Sequence, residues 1–232
     1  MKNLVILTGA GISAESGIMT FRDMGGLWEQ YDIMEVASPQ GWEKDRALVL
    51  DFYNQRRKQL QEVEPNYGHI GLVELEKDFN LTIITQNVDN LHERAGSKNV
   101  FHLHGELTKV RSTGDPNLIY ELDGWELKEG DLCEKGYQLR PHIVWFGEAV
   151  PAIEEAMKIA QTADIFVVIG TSMAVYPAAS LIHYVPKYCK KFLIDPNDVM
   201  VSGDVKVYKN KASEGVKILM KDLEKLKGSS KN

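Results

Sequence analysis

The chain has 232 residues, 44% of them hydrophobic, and a formal net charge of −6. That length fits one large domain, or one domain with an insertion, and an acidic balance without a basic stripe speaks against nucleic acid as a partner. No apolar run approaches bilayer length, and two distant cysteines, Cys133 and Cys189, suit a reducing cytoplasm better than a disulfide framework, so we expect a cytoplasmic protein that binds neither membrane nor nucleic acid.

The first apolar stretch, Asn3–Leu7, is too short for the core of a signal peptide and runs straight into glycines, so it reads as a strand. TGAGISAESG follows, from Thr8 to Gly17. Gly9 and Gly11 permit a tight turn, and Ala14 stands where a third glycine often sits. This is the pattern of a loop whose backbone N–H groups approach a pyrophosphate; a structural turn with no ligand is the competing reading. The continuation SGIMTFRDMGGLW departs from the dehydrogenase pattern. Gly17, Gly25 and Gly26 interrupt the helix that a plain dinucleotide fold would place here, and Phe21 and Arg22 fall on a loop expected over the nucleotide. That argues against simple hydride transfer.

Residues 24–65 read as largely helical and aromatic. Within them, DRALVLDFYNQRRKQLQEV clusters Leu48, Val49, Phe52, Tyr53, Leu60 and Val63 on one face at about 100° per residue. Arg56 falls near the middle of that face, and Arg57 is expected to turn outward. A charge on the apolar side of a helix is costly unless something pairs with it. An ion pair with Glu35 or Asp51, or a packed stem whose head reaches water, would satisfy Arg56.

A helix is expected over Gly68–Phe79 and a strand over Leu81–Thr85, running into TQNVDNLHERAG. Gln86, Asn87 and Asp89 there put amide and carboxylate groups at the carboxyl end of a strand, suited to a ribose or a carboxamide. Helix capping by Asn87 or Asp89 is the plainer use. The strand Val100–Leu103 leads into HLHGEL, where His102 and His104, at i and i+2, face the same way. A metal pair would need further ligands, and none is close in sequence; His104, at the strand end, is better placed as a general base. Residues 107–138 are rich in Gly, Asp, Glu and Lys and break the alternation. RPHIVWFGE, Arg140–Glu148, is apolar and extended: a core strand, or an edge offered to an extended peptide.

A helix over Ala152–Thr162, a buried strand over Ile165–Ile169, the turn Gly170-Thr171-Ser172 before Pro177, and a strand over Lys191–Ile194 complete the pattern, with a polar C-terminal end that reads as frayed. Strands alternating with helices predict an α/β protein with a Rossmann-like open parallel sheet and a smaller inserted module. The large part is expected over 1–23, 66–106 and 140–232, and the module over 24–65 and 107–139. In such sheets ligands sit at the carboxyl ends of the strands, where insertions can cover them.

Taken together, GAGISAESGIMTFR, TQNVDNLHERAG, HLHGEL, RPHIVWFGE and IGTSMAVYPA resemble, in order and spacing, the blocks of the sirtuins, the NAD-dependent protein deacylases. The resemblance runs from Asn3 to Val216. It implies NAD held between a Rossmann-type domain and a small module. It implies acyl-lysine proteins as substrates, with nicotinamide and 2′-O-acyl-ADP-ribose as products. By matching motif, His104 takes the role of base, and Gln86, Asn87 and Asp89 hold the nicotinamide and its ribose. Gly9, Ala10, Gly11, Gly170, Thr171 and Ser172 hold the phosphates and the adenosine side, with Ala14, Phe21, Arg22 and Trp28 also on the cofactor. Asn197 and Ala212 match contacts to the adenosine half, and Val144, Phe146 and Gly147 would pair with the substrate backbone.

An ADP-ribosyltransferase or NAD glycohydrolase on the same fold is the alternative, and a non-catalytic NAD-binding module a third. His104 favours deacylation, since some sirtuin-like proteins with those other activities lack the base histidine. Tyr53 and Arg56, three residues apart on one side of a helix, look like the pair in sirtuins that accept succinyl- and malonyl-lysine, where the arginine forks onto the acyl carboxylate. The substrate's carboxylate is then the partner expected for Arg56. The chain departs from the family in one respect. Sirtuins usually carry four cysteines between the HxHG and FGE blocks, whereas residues 106–143 hold only Cys133. Tetrahedral zinc needs about four ligands, so no zinc is expected. Leu118, Ile119, Tyr120, Leu122, Trp125 and Leu127 are expected to replace it by packing, as a small β element.

Overall fold

A computed structural model describes residues 1–18, 31–171, 173, 175–201 and 203–227. In chain order the strands are β1 (Asn3–Thr8), β2 (Asn80–Thr85), β3 (Val100–His102), β4 (Gly105–Ser112), β5 (Ile119–Glu121), β6 (Leu139–Ile143), β7 (Ile165–Ile169), β8 (Lys190–Ile194) and β9 (Val205–Tyr208). The α-helices are α1 (Ile33–Val36), α2 (Pro39–Lys44), α3 (Arg46–Glu62), α4 (Tyr67–Leu75), α5 (Leu91–Ala95), α6 (Ile153–Gln161) and α7 (Ala212–Lys227).

A six-stranded parallel sheet runs in the order β3-β2-β1-β7-β8-β9. Its central strands, β1 and β7, are almost wholly apolar because both faces are covered. Successive side chains alternate between the faces: Leu4 and Ile6 of β1 and Ile165, Val167 and Ile169 of β7 enter one core, while Val5, Leu7, Phe166 and Val168 enter the other. Leu72 of α4 and Val216, Leu219 and Leu223 of α7 close the first face. Ala156 and Ala160 of α6, with Leu181 from the 3-10 helix Ala178–His183, close the second. Each fully buried Leu or Ile stabilises by about 1.5–3 kcal/mol relative to exposure.

The helix expected over Gly68–Phe79 is capped by Asn66, whose Oδ1 accepts from Gly68 N at 2.7 Å, and stops at Leu75 before a turn that carries Phe79 into the core. β9 and α7 are additions to the sequence reading, and the C-terminal stretch read as frayed is helical as far as Lys227. No helix among the described residues is long and apolar enough to cross a membrane.

The second sheet is antiparallel, in the order β5-β4-β6. Helix α3 lies against it, and one core joins Val49, Phe52, Tyr53 and Leu60 of α3 to Leu107, Val110, Leu127, Ile143 and Trp145. Both inserted segments therefore share a core. β6 corrects one boundary: residues 140–143, read with the large part, pair with β4 through Arg111↔Arg140 and Gly105↔Ile143 and so belong to the small sheet. Of the side chains expected to fill in for a metal, Leu127 is fully buried, and Tyr120 and Leu122 pack on the same core. Ile119 is 44% exposed, and Trp125 instead receives the Lys58 ammonium 3.7 Å from its ring centre.

Candidate active site at the carboxyl ends of the strands

The sheet order leaves β1 toward β2 and β3 on one side and toward β7 and β8 on the other, so a crevice opens beyond the ends of β1 and β7. Its floor is made by two loops in backbone contact. Gly9 N donates to Ile169 O at 3.0 Å, and Gly11 N to Gly170 O at 2.8 Å. A Cβ on Gly11 would stand 2.7 Å from Gly170 Cα, and one on Gly170, where φ is +64°, only 2.4 Å from Ile12 N. The glycines read as a phosphate approach are thus also required for this loop-to-loop contact. Past β1 the chain makes two 3-10 turns, Ala10–Ile12 and Ala14–Ser16, in place of a helix, consistent with the departure from the dehydrogenase pattern. Phe21, Arg22, Trp28 and Ser172 lie outside the described residues. Thr171 is buried. Ala212 starts α7 against Gly68, and Asn197 is exposed just beyond β8.

Behind this floor is a buried polar cluster that sequence reasoning found only in part. Ser13 Oγ donates to Asp89 Oδ2 at 3.0 Å and accepts from Asn87 Nδ2 at 3.2 Å; His69 Nε2 lies 3.4 Å away. Thr8 Oγ1 donates to Thr85 Oγ1 at 2.9 Å, and His92 Nε2 is 3.0 Å from the same Thr8 oxygen. Asp89 Oδ1 also accepts from Leu91 N at 3.2 Å at the start of α5, which is the capping use expected for it. Burial raises the Asp89 carboxyl above its ordinary range. Burial likewise pulls His69 down to about 4 and His92 well below its usual value, so both rings are neutral at neutral pH. The missed residues, Thr8, Ser13, His69, Thr85 and His92, had one signal. His69 stands among apolar residues in YGHIGLVEL, and a buried polar group needs partners.

The segment after β2 is gripped from one side. His104 Nδ1 meets Gln86 O at 3.1 Å, His102 Nδ1 meets Asn87 O at 3.2 Å, and Leu107 N donates to Val88 O at 2.7 Å. Three consecutive carbonyls are thereby held by HLHGEL. The two histidines that sequence placed on one side of a strand are a backbone clamp. Among the described residues no group of three or more His, Cys, Asp or Glu could hold a metal ion. With Nδ1–H given to a carbonyl, a neutral His104 presents an unprotonated Nε2, and burial keeps its pKa below the usual histidine value. Gln86 Nε2 is buried without a hydrogen-bond partner among the described residues.

RPHIVWFGE is fixed by Glu148. Its carboxylate accepts from Arg140 at 2.7 and 3.1 Å and from Trp145 N at 2.8 Å, with Arg111 at 3.3 Å. Arg140 also stacks 3.3 Å from the Trp145 ring centre. Val144 N donates to His104 O and Phe146 N to Ala37 O, each at 2.9 Å, so neither N–H is left for a substrate strand.

The arginines of α3 correct the sequence reading. Arg57, expected to face outward, is 3% exposed; its Nε donates to Leu107 O at 2.8 Å and its NH1 to Asn54 Oδ1 at 2.9 Å. Arg56 is the half-buried one, with its guanidinium carbon 5.7 Å from the Phe52 ring centre and 6.0 Å from that of Tyr53. Desolvation lowers its pKa, while Tyr53 and Asp89 pull it back up. Of the acids considered beside it, Glu35 accepts from Lys44 at 2.8 Å and Asp51 from Gln55 at 2.6 Å. Tyr53 is buried, its hydroxyl accepts from Trp145 Nε1 at 2.9 Å, and burial raises its pKa, so the phenol keeps its proton.

The fold and crevice define a doubly wound α/β protein with a polar site at its topological switch point. The pattern of the Sir2 family matches residues 9–177. A protein of Bacteroides thetaiotaomicron named NAD-dependent protein deacylase is 61% identical over 226 residues, covering 94% of this chain and 97% of that protein. One of the same name from Helicobacter pylori is 62% identical over 198 residues, covering 84% and 85%. Among solved structures, a Sir2 homologue in complex with ADP-ribose superposes with a TM-score of 0.88 at 40% identity, covering 100% of this chain and 95% of that one. A Sir2 homologue–NAD complex gives 0.86 at 41%, covering 98% and 91%. The chain belongs to the Sir2 family.

Proposed function

We propose that the protein is an NAD-dependent protein-lysine deacylase that removes succinyl and malonyl groups, and to a lesser extent acetyl, giving nicotinamide and 2′-O-acyl-ADP-ribose. The observation that carries the reading is the state of His104. Clamped through Nδ1 to Gln86 O, it offers a neutral Nε2 as a base at the end of β3, beside the amide and carboxylate groups that follow β2. The residues fit a dinucleotide: the glycine floor presents backbone, and Gln86 Nε2 is a buried donor still to be used. When bound, NAD would supply a ribose carbon that the acyl oxygen can attack, the bond from that carbon to nicotinamide breaking and nicotinamide leaving. Asn87 and Asp89, tied through Ser13, would orient its ribose, and His104 would take the proton of the ribose hydroxyl that attacks the acyl carbon.

The acyl preference rests on Tyr53 and Arg56. A buried phenol that accepts from Trp145 still has its own proton to donate, and a half-buried arginine beside it can fork onto a carboxylate. Val144, Phe146 and Gly147 line the acyl-lysine backbone, which must use groups other than the two engaged N–H donors. The reading includes a chain that works without zinc, and a single catalytic domain whose module spans 24–65 and 107–143.

The test is to incubate the protein with NAD and acetyl-, succinyl- and malonyl-lysine peptides. Free lysine peptide and O-acyl-ADP-ribose, seen by mass spectrometry and fastest for the acidic acyl groups, is the expected result. Nicotinamide without a peptide product would instead establish an NAD glycohydrolase. His104→Ala should lower turnover by at least about 100-fold while calorimetry still detects NAD binding.

A further inference from the structure

We propose that His102 is a positioning residue: as an imidazolium it ties the Asn87 carbonyl to the Glu93 carboxylate and so fixes the Asn87 side chain against Ser13. What Asn87 serves rests on the deacylase reading; the clamp itself does not.

Both nitrogens of the His102 ring face acceptors. Nδ1 is 3.2 Å from Asn87 O, and Nε2 is 2.7 Å from Glu93 Oε1. A carbonyl and a carboxylate can only accept, so the ring satisfies both only when both nitrogens carry protons. A neutral ring would turn a lone pair toward one of the two oxygens. Among the described residues His104, two positions on, has a hydrogen-bond partner at Nδ1 alone, so one charged and one neutral histidine stand two residues apart. Burial works against the charge on His102, but the hydrogen bond and charge of Glu93 prevail and raise its pKa above the ordinary 6.5. Glu106 of β4 adds to the rise. Asp89 and the buried, neutral His92 are the other titratable groups that feel this charge.

The handle acts on a residue with few other freedoms. Asn87 N donates to Thr85 Oγ1 at 3.0 Å, and its side-chain Nδ2 to Ser13 Oγ at 3.2 Å. The carbonyl is the third anchor, and His102 is the group that holds it. As pH rises through the His102 pKa, one of the two bonds is lost and the Asn87 peptide can turn.

Histidine-labelled NMR on the ligand-free protein tests the clamp directly. His102 should titrate with a midpoint above the ordinary 6.5 and show imidazolium nitrogen shifts below that midpoint, and the Asn87 side-chain amide should move with the same midpoint. Glu93→Gln should lower that midpoint. His102→Gln should shift the Asn87 amide and weaken NAD binding about tenfold at pH 7 by calorimetry, raising KM for NAD more than it lowers kcat. A His102 midpoint at or below 6.5, an Asn87 amide indifferent to His102→Gln, or an unchanged NAD affinity in that variant would each overturn the proposal. Failure of the wild type to bind NAD would overturn the deacylase reading instead, and the free-protein resonances would still decide the clamp.

Discussion

Arg57 gives its Nε to Leu107 O and its NH1 to Asn54 Oδ1, whereas Arg56 lies half-buried over the Phe52 and Tyr53 rings, so substitutions at the two should part company. Arg56→Met should cut kcat/KM for a succinyl peptide by about 100-fold, the loss of a charge-assisted pair, while the acetyl peptide changes only a few-fold; equal losses would leave Arg56 a structural residue. Arg57→Met should leave the acyl preference alone and destabilise by about 2 kcal/mol in urea unfolding, because Leu107 O loses its donor. His69 makes stability depend on pH. Its folded pKa, about 4, lies below its ordinary 6.5, so the unfolded chain binds the proton better. The contribution is intact above pH 6.5 and falls away toward pH 4, by up to about 3 kcal/mol. His92 works in the same direction, and Asp89, with its raised carboxyl, against it. Urea midpoints measured from pH 7 to pH 4 should show a shallower decline for His69→Asn than for the wild type.

At the scale of elements, Glu148 holds the strand-like stretch after β6 in place. Glu148→Ala leaves Arg140, 9% exposed, without its carboxylate, at a cost of about 3–5 kcal/mol; thermal unfolding should show it, and KM for the peptide should rise along with the loss. Five of the six strands of the large sheet were legible because runs such as Ile165–Ile169 are apolar on both faces, and that signal is local. β6 was legible as an extended stretch but not as a member of the small sheet, because its partner β4 is set by non-local pairing. The outward placement of Arg57 failed for a related reason. A helical arc assumes one packing surface, yet α3 also has the start of β4 alongside it at Leu107. Strand β9 and helix α7 escaped because four half-polar residues and an amphipathic helix carry little contrast against loop.

For the whole molecule, the placement of polar groups at the strand ends was legible, and the buried layer behind them was not, since Ser13, His69 and His92 are far apart in sequence. The zinc-free reading makes a simple prediction at this scale. Cys133 Sγ, which donates to Ser112 Oγ at 3.3 Å, sits in a module closed by Leu127 and its neighbours, so exhaustive chelation should shift neither the unfolding temperature nor turnover; loss of either would restore a structural metal. The strand order has a further consequence, for synthesis. β1 is flanked by β2 on one side and by β7 on the other, and Gly11 rests on Gly170. While the ribosome is still translating the first two-thirds of the message, one edge of β1 is bare and the floor of the crevice is half built. A nascent chain cannot close this floor until residue 170 has left the exit tunnel, so whatever the crevice holds can be captured only after translation of the β7 region.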